Sequence, residues 1–178
     1  AIGYVTAVDV ASEALDRLQP TAASHDRVMV PEVMGRSAGH IALSAGISGG
    51  ADAILMPEIP WTMDGLTRKI LDVRENGRNF ALVIVAEAAH LPDEEAVGQM
   101  RGDGGFSFGG VGQRVSDLIE KSTGAESRVT VLGHVQRGGV PSPRDRLFAS
   151  AFGVCAVDLV AEGGFDRLVV WSDRECRH

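Results

Sequence analysis

Residues 80–87 read FALVIVAE, seven apolar residues in a row and then a carboxylate. A strand without alternation between apolar and polar residues is covered on both faces, which is typical of a central strand in a parallel sheet. Short apolar runs alternate with segments of helical periodicity on both sides of it. This alternation predicts an α/β domain with a largely parallel sheet.

The same two periodicities place the other elements, with glycine and proline as breaks. Strands are predicted over residues 27–33, 53–56, 128–132 and 168–171, and residues 2–5 are interpreted as the end of a further strand. Helices are predicted over 7–19, where Pro20 stops the helix, from 34 to about 50, and over 64–76, 111–123 and 143–161. Residues 88–110, with three acids at 93–95 and several glycines, are predicted to form a long loop, functional or disordered.

The composition limits the class of protein. The 178 residues are 44% apolar and 23% charged, as in globular proteins, and their net charge of −7 argues against a nucleic-acid partner. No apolar run approaches the ~18 residues of a membrane span, so no membrane partner is expected. Cys155 and Cys176 are too few for a disulfide framework, and Cys155 is interpreted as a core residue. We therefore expect a cytoplasmic protein that binds any anionic ligand locally.

One candidate anion site follows the strand predicted over residues 27–33. There the sequence EVMGRSAG, residues 32–39, passes through a glycine into the predicted helix, with Arg36 at the turn. Unpaired N–H groups at a helix start, together with a guanidinium, suit an anion. The alternative is a plain strand-to-helix connection with a solvated arginine, and this short pattern leaves both open.

Glu87 is a second candidate because it directly follows the apolar strand. Ligands of open parallel sheets bind at the carboxyl ends of the strands, and sugar hydroxyls are natural donors to a carboxylate. The alternatives are a carboxylate that caps a helix or pairs with an arginine.

The third candidate is the segment of residues 127–144, which contains no acid. Arg128, Arg137 and Arg144 give it a charge of +3, before His134 is counted, in a chain of net charge −7. Within it, the sequence LGHVQRGG places His134 and Arg137 three residues apart between glycines. A guanidinium fork and an imidazole donor suit a phosphate monoester. A solvated basic loop is the alternative.

Several of these motifs occur together in one known family. They are PEVMGRSAG at 31–39, GAD at 50–52 with PE at 57–58, and TVLGHVQRGG at 130–139 followed by Asp145 and Arg146. In order and separation they resemble the 6-phosphofructokinase family, over about residues 2–164. The extended segment 88–110 is more similar to the actinobacterial-type branch, which has ATP-dependent and pyrophosphate-dependent members.

The resemblance implies a Rossmann-like three-layer sandwich and a phosphotransferase. The reaction would transfer a phosphoryl group from ATP or pyrophosphate to the 1-hydroxyl of fructose 6-phosphate, giving fructose 1,6-bisphosphate in glycolysis. His134 and Arg137 would hold the 6-phosphate. Met34, Gly35 and Glu87 would contact the sugar.

Three further arginines have implied roles. Arg36 would be catalytic and would steady the transferring phosphoryl group. Arg27 and Arg128 would reach into the site of a neighbouring subunit of a homo-oligomer, either a dimer or a tetramer. Positioning and charge neutralisation of this kind are the main terms in phosphoryl transfer.

The rest of the family pattern is expected outside this sequence. The family's glycine-rich nucleotide loop and its Thr-Ile-Asp-Asn-Asp motif, whose aspartate is the base, belong upstream of Ile2. We therefore expect residues 1–178 to be the fructose 6-phosphate-binding portion, without the N-terminal nucleotide-binding part, the Mg²⁺ ligands or the residues that select the donor, and to be inactive alone. Two other functions stay open, a non-catalytic sugar-phosphate-binding or regulatory relative and an unrelated α/β nucleotide binder.

Overall fold

The structure is a computed structural model that describes residues 2–92, 97–100, 102 and 106–178. The three acids at 93–95 lie outside the described residues. The helices are α1 (Tyr4–Ser24), α2 (His40–Ser48), α3 (Met63–Glu75), α4 (Val111–Thr123), the 3-10 helix η1 (Gly133–Arg137) and α5 (Pro143–Ala161). The strands are β1 (Val28–Val33), β2 (Ala53–Leu55), β3 (Ala81–Ala86), β4 (Gly98–Met100), β5 (Phe106–Phe108), β6 (Ser127–Val131), β7 (Val170–Ser172) and β8 (Glu175–Arg177). Within the described residues, no helix is both long and apolar enough to cross a membrane.

The chain divides into a larger unit, Ala7–Gly139, and a smaller one, Ala1–Thr6 with Val140–His178. The larger unit is built on a parallel sheet with the strand order β2-β3-β1-β6. Val28 of β1 pairs with β3 on one side and with β6 on the other, so β1 is an interior strand. β3 is also interior, and all of its residues are buried, as its unbroken apolar sequence predicts. The structure confirms the α/β fold with a mostly parallel sheet.

Helices cover both faces of the sheet and complete three layers. Side chains on β1 and β3 point alternately to the two faces, as in any strand. On one face the strands pack against α3 and α4 through Val28, Val30, Val83, Leu66, Ile70, Val115 and Ile119. On the other face they pack against α1 and α2 through Met29, Val33, Leu82, Ile84, Leu15, Ala42 and Ala45. Complete burial of a Val, Leu or Ile side chain contributes about 1.5–3 kcal/mol, so these two clusters are the main stabilising contacts of the unit.

Helix α1 differs from its prediction at both ends. The interpretation of residues 2–5 as the end of a strand is wrong, because α1 begins at Tyr4. The prediction that Pro20 stops the helix is also wrong, because α1 continues to Ser24. Pro20 is exposed, whereas Ala22 is completely buried in the core next to it. Packing of the last turn therefore outweighs the local preference for a break.

Loops account for the other differences in the larger unit. The helix predicted from residue 34 begins only at His40, so residues 34–39 are a loop. The predicted loop at 88–110 contains the short antiparallel hairpin of β4 and β5. Strands of three residues are too short to show a period in the sequence. The helices predicted at 64–76 and 111–123 are confirmed within one residue at each end.

The smaller unit contains α5 and the antiparallel hairpin of β7 and β8. The side chain of Ser142 accepts a hydrogen bond from the Asp145 N–H at 3.1 Å, which confirms Ser142 as the N-cap of α5. The strand predicted at 168–171 is displaced, because β7 begins at Val170 and pairs with β8. Phe148 of α5 packs on Trp171 of β7, with ring centroids 5.0 Å apart.

The apolar face predicted for α5 is only partly covered in the smaller unit. Leu159 is buried, but Leu147 is 72% exposed, and Cys155 is half-buried, so the interpretation of Cys155 as a core residue is wrong. Val154 and Val157 are exposed as well. A helix that is apolar on most sides is usually buried on most sides. Helix α5 thus has more apolar surface than this unit covers.

Asp145 joins the two segments of the smaller unit. Its buried carboxylate accepts hydrogen bonds from the Gly3 N–H at 2.9 Å, from the Thr6 N–H at 2.8 Å and hydroxyl at 2.6 Å, and from the Ser142 hydroxyl at 3.2 Å. One side chain therefore caps the first turn of α1 and lies in the first turn of α5. Burial opposes the charge, but the hydrogen bonds outweigh burial and lower the pKa of Asp145 from 3.8 to about 2.

We expect Asp145→Asn to lower the free energy of unfolding by about 2 kcal/mol at neutral pH, because an amide replaces a charged acceptor of four hydrogen bonds. The pKa of Asp145 is lower in the folded chain than in the unfolded chain. Its stabilisation is therefore complete above about pH 5 and is lost as the pH falls toward 2. Urea unfolding of both proteins across this pH range measures the difference.

Asp158→Asn is the matched control for this variant, since Asp158 is an exposed carboxylate on the same helix. We expect it to change the free energy of unfolding by less than about 0.5 kcal/mol. A stability difference between wild type and Asp145→Asn that stayed constant from neutral pH to about pH 2 would contradict the assigned role of the charge.

Candidate functional site

The carboxyl ends of β3, β1 and β6 lie next to one another because these strands are parallel neighbours. Adjacent strands are about 5 Å apart, so the residues that follow them share one edge of the sheet. Helix η1, which follows β6, also contacts β1. We call the residues at this edge the carboxyl-edge site; they are Met34, Gly35, Arg36, Glu87, His134 and Arg137.

The loop after β1 turns sharply at Gly35 and Arg36. The Ala38 N–H donates to the Gly35 carbonyl at 3.2 Å and closes a four-residue turn. A Cβ atom at residue 35 would lie 2.2 Å from the Ala38 carbonyl oxygen, so only glycine fits there. Arg36 has a φ of 55°, in the left-handed region that residues with a Cβ atom seldom adopt. Backbone strain of this kind is often retained at functional positions.

Two carboxylates from neighbouring strand ends hold this loop. Oε1 of Glu87 accepts from the Gly35 N–H at 3.0 Å and from the Arg36 N–H at 2.6 Å. Glu58, which follows β2, accepts from the Gly39 N–H with its two oxygens at 2.8 and 3.1 Å. The prediction that a helix start leaves N–H groups free for an anion is therefore wrong at these three positions. What the loop offers a ligand is the Arg36 side chain.

Glu87 fits neither of its two structural alternatives among the described residues. It caps a loop instead of a helix, and no arginine pairs with it. Sequence reasoning missed Glu58 as its counterpart. A signal was present, since Glu58 follows the strand β2 as Glu87 follows β3.

A third carboxylate, Glu32, is buried at the same end of β1. It is 3% exposed and accepts from the Gly110 N–H at 3.3 Å and the Gly112 N–H at 2.7 Å, at the start of α4. A Cβ atom at residue 112 would lie 2.9 Å from Oε2 of Glu32, so this approach requires glycine. Glu32 therefore fixes the start of α4 beside the carboxyl-edge site. The sequence signal for this role was a carboxylate inside an otherwise apolar strand.

His134 and Arg137 lie on one side of η1. In a 3-10 helix, residues three apart are eclipsed, so their side chains leave the helix in the same direction. Both residues are exposed. Among the described residues, the side chains of Arg36, His134 and Arg137 have no hydrogen bond or ion pair with protein groups. Two guanidinium groups and one imidazole are thus available to a ligand at this edge.

Arg27 and Arg128 lie at the opposite, amino edge of the same sheet. Arg27 precedes β1 and Arg128 is near the start of β6; the six residues of β1 separate this edge from the carboxyl-edge site by about 17 Å. Both arginines bind Glu126, with Nε of Arg27 at 2.9 Å from Oε2 and Arg128 on Oε1. The hydrogen bond from Arg27, and then the charge of Arg128, lower the pKa of Glu126. The structure therefore separates the eight predicted site residues into two groups.

The basic residues of segment 127–144 belong to different elements of the fold. The charge of Arg128 is compensated by Glu126, which directly precedes the segment. Arg144 belongs to α5 in the smaller unit, where its guanidinium carbon lies 5.5 Å from the ring centroid of Phe148. Within the larger unit, His134 and Arg137 follow β6 at the carboxyl edge, whereas Arg128 lies near the start of β6. These three basic residues therefore do not share one end of the sheet.

Among the described residues, no three His, Cys, Asp or Glu side chains converge as metal ligands. Glu32, Glu58 and Glu87 accept hydrogen bonds from backbone N–H groups, which already use part of their acceptor capacity.

The geometry defines an α/β protein with a parallel sheet, at whose carboxyl edge a carboxylate, two guanidinium groups and an imidazole follow neighbouring strands. A family model described as Phosphofructokinase matches residues 1–160. The chain belongs to the phosphofructokinase family.

The names of curated relatives agree with the assignment to this family. The chain is 56% identical to a Synechocystis protein and 54% identical to a Nostoc protein, both named ATP-dependent 6-phosphofructokinase 1. The matches cover 98% of this chain in both cases, and 48% and 49% of the two relatives. The chain spans about half the length of the curated relatives it matches.

Solved structures show the same fold. The phosphofructokinase of Saccharomyces cerevisiae matches with a TM-score of 0.81 and 33% identity, over 99% of this chain and 22% of that chain. A pyrophosphate-dependent phosphofructokinase from Marinobacter aquaeolei matches with a TM-score of 0.71 over 94% of this chain and 42% of that chain. The second match is 24% identical and shows the fold alone.

We expect Arg36→Gly to be more stable than Arg36→Ala by about 1 kcal/mol, because glycine adopts a φ near 55° without the contact that a Cβ atom makes there. Both variants lack the guanidinium, so their charges are matched. Urea unfolding of the two proteins measures the difference. Equal stability would mean that residue 36 does not hold the left-handed conformation in solution.

Proposed function

We propose that this chain is the fructose 6-phosphate-binding portion of a 6-phosphofructokinase. The enzyme transfers a phosphoryl group from ATP to the 1-hydroxyl of fructose 6-phosphate and yields fructose 1,6-bisphosphate, a step of glycolysis in the cytoplasm. The observation that carries the proposal is the carboxyl-edge site, where a carboxylate and three unpaired nitrogen-bearing side chains follow three adjacent strands. The names of the relatives at 54–56% identity support ATP over pyrophosphate.

The 6-phosphate binds to His134 and Arg137. The eclipsed positions on η1 direct both side chains toward one ligand. A guanidinium can donate two parallel hydrogen bonds to a phosphate, and an imidazole adds a third donor. Since neither side chain has a protein partner among the described residues, binding of the phosphate does not have to break an existing ion pair.

The sugar binds between the loop after β1 and Glu87. A carboxylate has about four acceptor positions, and the described hydrogen bonds to Glu87 come from two backbone N–H groups, so it can also accept from a sugar hydroxyl. These two bonds hold the Glu87 carboxylate against the backbone of Gly35 and Arg36. The carboxylate that contacts the sugar therefore has a fixed position relative to the Arg36 backbone. Preorganisation of this kind lowers the entropy cost of binding.

Arg36 acts on the phosphoryl group in transfer. The 1-hydroxyl oxygen attacks the γ-phosphorus of ATP, the bond from that phosphorus to the bridging oxygen breaks, and ADP leaves. The hydroxyl proton passes to a base in the part of the protein that this chain does not span. The Arg36 guanidinium stabilises the negative charge on the transferring group, and no protein carboxylate among the described residues competes for it. Mg²⁺, which the reaction would require, is bound by that other part as well.

Arg27 and Arg128 serve the site of a neighbouring subunit in a homo-oligomer, a dimer or a tetramer. The whole length of β1 separates them from the carboxyl-edge site of their own sheet. Glu126 holds both guanidinium groups together at the amino edge, which presents them as a pair. Glu120 also lies 3.9 Å from Arg128, so a phosphate from the partner would compete with these carboxylates for the two guanidinium groups.

The chain alone is inactive. The chain spans about half the length of these relatives, and the nucleotide-binding part that the proposal requires is assigned to the other half. The exposed apolar side chains of α5, such as Leu147, Val154 and Val157, support a contact with the remaining part of a longer protein. The 178 residues therefore supply one half of the active site.

A chimera tests the proposal. In it, the 178 residues replace the matching segment of the Synechocystis relative, whose name states ATP dependence. We expect the chimera to form fructose 1,6-bisphosphate with ATP in a coupled assay, and the 178-residue chain alone to form none. We expect Arg137→Ala in the chimera to lower kcat/KM for fructose 6-phosphate about 30-fold, because loss of a charge-assisted phosphate contact costs about 2 kcal/mol.

Arg17→Ala is the control, since Arg17 lies on the surface of α1 with a side chain 78% exposed and paired with Glu13. It removes the same charge and is expected to leave kcat/KM unchanged. Binding of fructose 6-phosphate without turnover, by a chimera whose parent is active, would favour the regulatory alternative. Turnover with pyrophosphate in place of ATP would mean that the donor is selected by residues within these 178.

Mixing of subunits tests the shared site. Arg128→Ala and His134→Ala chimeras are each expected to be nearly inactive. When the two are unfolded and refolded together, one site in each mixed dimer combines an intact His134 with an intact Arg128, so about a quarter of the parent activity should return. If mixing restores no activity while each variant still assembles, Arg128 serves its own subunit or no site at all.

A further inference from the structure

Cys155 and Cys176 line one cavity in the smaller unit. Helix α5 contributes Cys155 and the hairpin contributes Cys176, with Val154, Leu159 and Trp171 among the other lining residues. Both thiols are free and half-buried. Neither has a role in the proposed phosphoryl transfer.

The contacts between α5 and the hairpin keep the two thiols close. Helix α5 packs on β8, and Cys176 of β8 lies directly opposite Trp171 of β7 in the hairpin register. Trp171 in turn packs on Phe148 of α5, with ring centroids 5.0 Å apart. In keeping with this placement, the pKa of the Cys176 thiol is raised by burial and then by the nearby Cys155 thiol.

We propose that Cys155 and Cys176 are a reversible oxidation site, which a peroxide converts into an intramolecular disulfide. One thiolate attacks hydrogen peroxide, the oxygen–oxygen bond breaks, and a sulfenic acid and hydroxide form. The sulfur of the second cysteine then attacks the sulfenic sulfur, the sulfur–sulfur bond forms, and the sulfenic oxygen leaves as water. In total two thiols lose two protons and two electrons, and one peroxide is reduced to two waters.

The surroundings of the pair make this reaction slow at neutral pH. The thiolate is the reactive form, and burial disfavours it at Cys176. Asp158 and Glu162 of α5 and His178 line the same cavity. The rate of oxidation should therefore rise with pH above neutrality. The disulfide would link the β7–β8 hairpin covalently to α5, and this link does not depend on any activity of the larger unit.

The test is oxidation of the folded 178-residue chain with excess hydrogen peroxide at two pH values, followed by intact mass and thiol counting. We expect a monomer lighter by two hydrogens, with no free thiol, at a rate several-fold higher at about pH 8.5 than at about pH 7. Dithiothreitol should restore both thiols. A tryptic peptide that joins the Cys155 and Cys176 fragments identifies the bond.

A double variant, Cys155→Ser with Val157→Cys, is the matched control. It keeps two thiols, but Val157 is 69% exposed and does not line the cavity. We expect it to give intermolecular dimers or overoxidised thiols without the internal bond. Dimers or separate sulfinic acids from the wild type, or an internal bond formed equally by the control, would overturn the proposal.

Discussion

Parallel pairing of β1 with both β3 and β6 is the constraint on which the rest of the molecule depends. It places three strand ends side by side, and the groups that follow them become one surface. With both edges of β1 paired and both of its faces covered by helices, Glu32 within it has to find partners inside the protein. Those partners are the N–H groups at Gly110 and Gly112, and this one carboxylate therefore positions α4. The sheet order determines both the core and the edge at which chemistry is possible.

Charge is divided at the carboxyl edge between structural and functional uses. The carboxylates Glu58 and Glu87 accept hydrogen bonds from the loop backbone, whose N–H groups would otherwise need water or a ligand. The guanidinium and imidazole groups have no such task in the described residues. The carboxylates therefore stabilise the loop, and the guanidinium and imidazole groups are the ones that can bind a ligand. At the amino edge the division is different, because Glu126 holds Arg27 and Arg128 in ion pairs.

Much of this architecture could be predicted from the sequence, because β3, α3 and α4 have strong local periods. The candidate site residues could also be named, since the motifs that carry them are continuous in the sequence. What could not be predicted are contacts between distant segments. The packing of Ala22 extends α1 past Pro20, Glu58 after β2 accepts a hydrogen bond from the Gly39 N–H, and Glu126 binds Arg27, 99 residues away. The number of residues between these partners follows no rule from which the contacts could be predicted.

The carboxylate of Asp145 accepts hydrogen bonds from Thr6, 139 residues away in the sequence, and from Gly3, 142 residues away. Such contacts close a very long loop and give the smaller unit a high contact order, whereas the larger unit lies wholly within residues 7–139. On the ribosome, where chains emerge from the amino end, the sheet can form while residues 140–178 are still being made. The first turn of α1 therefore lacks its cap until Asp145 has emerged from the exit tunnel.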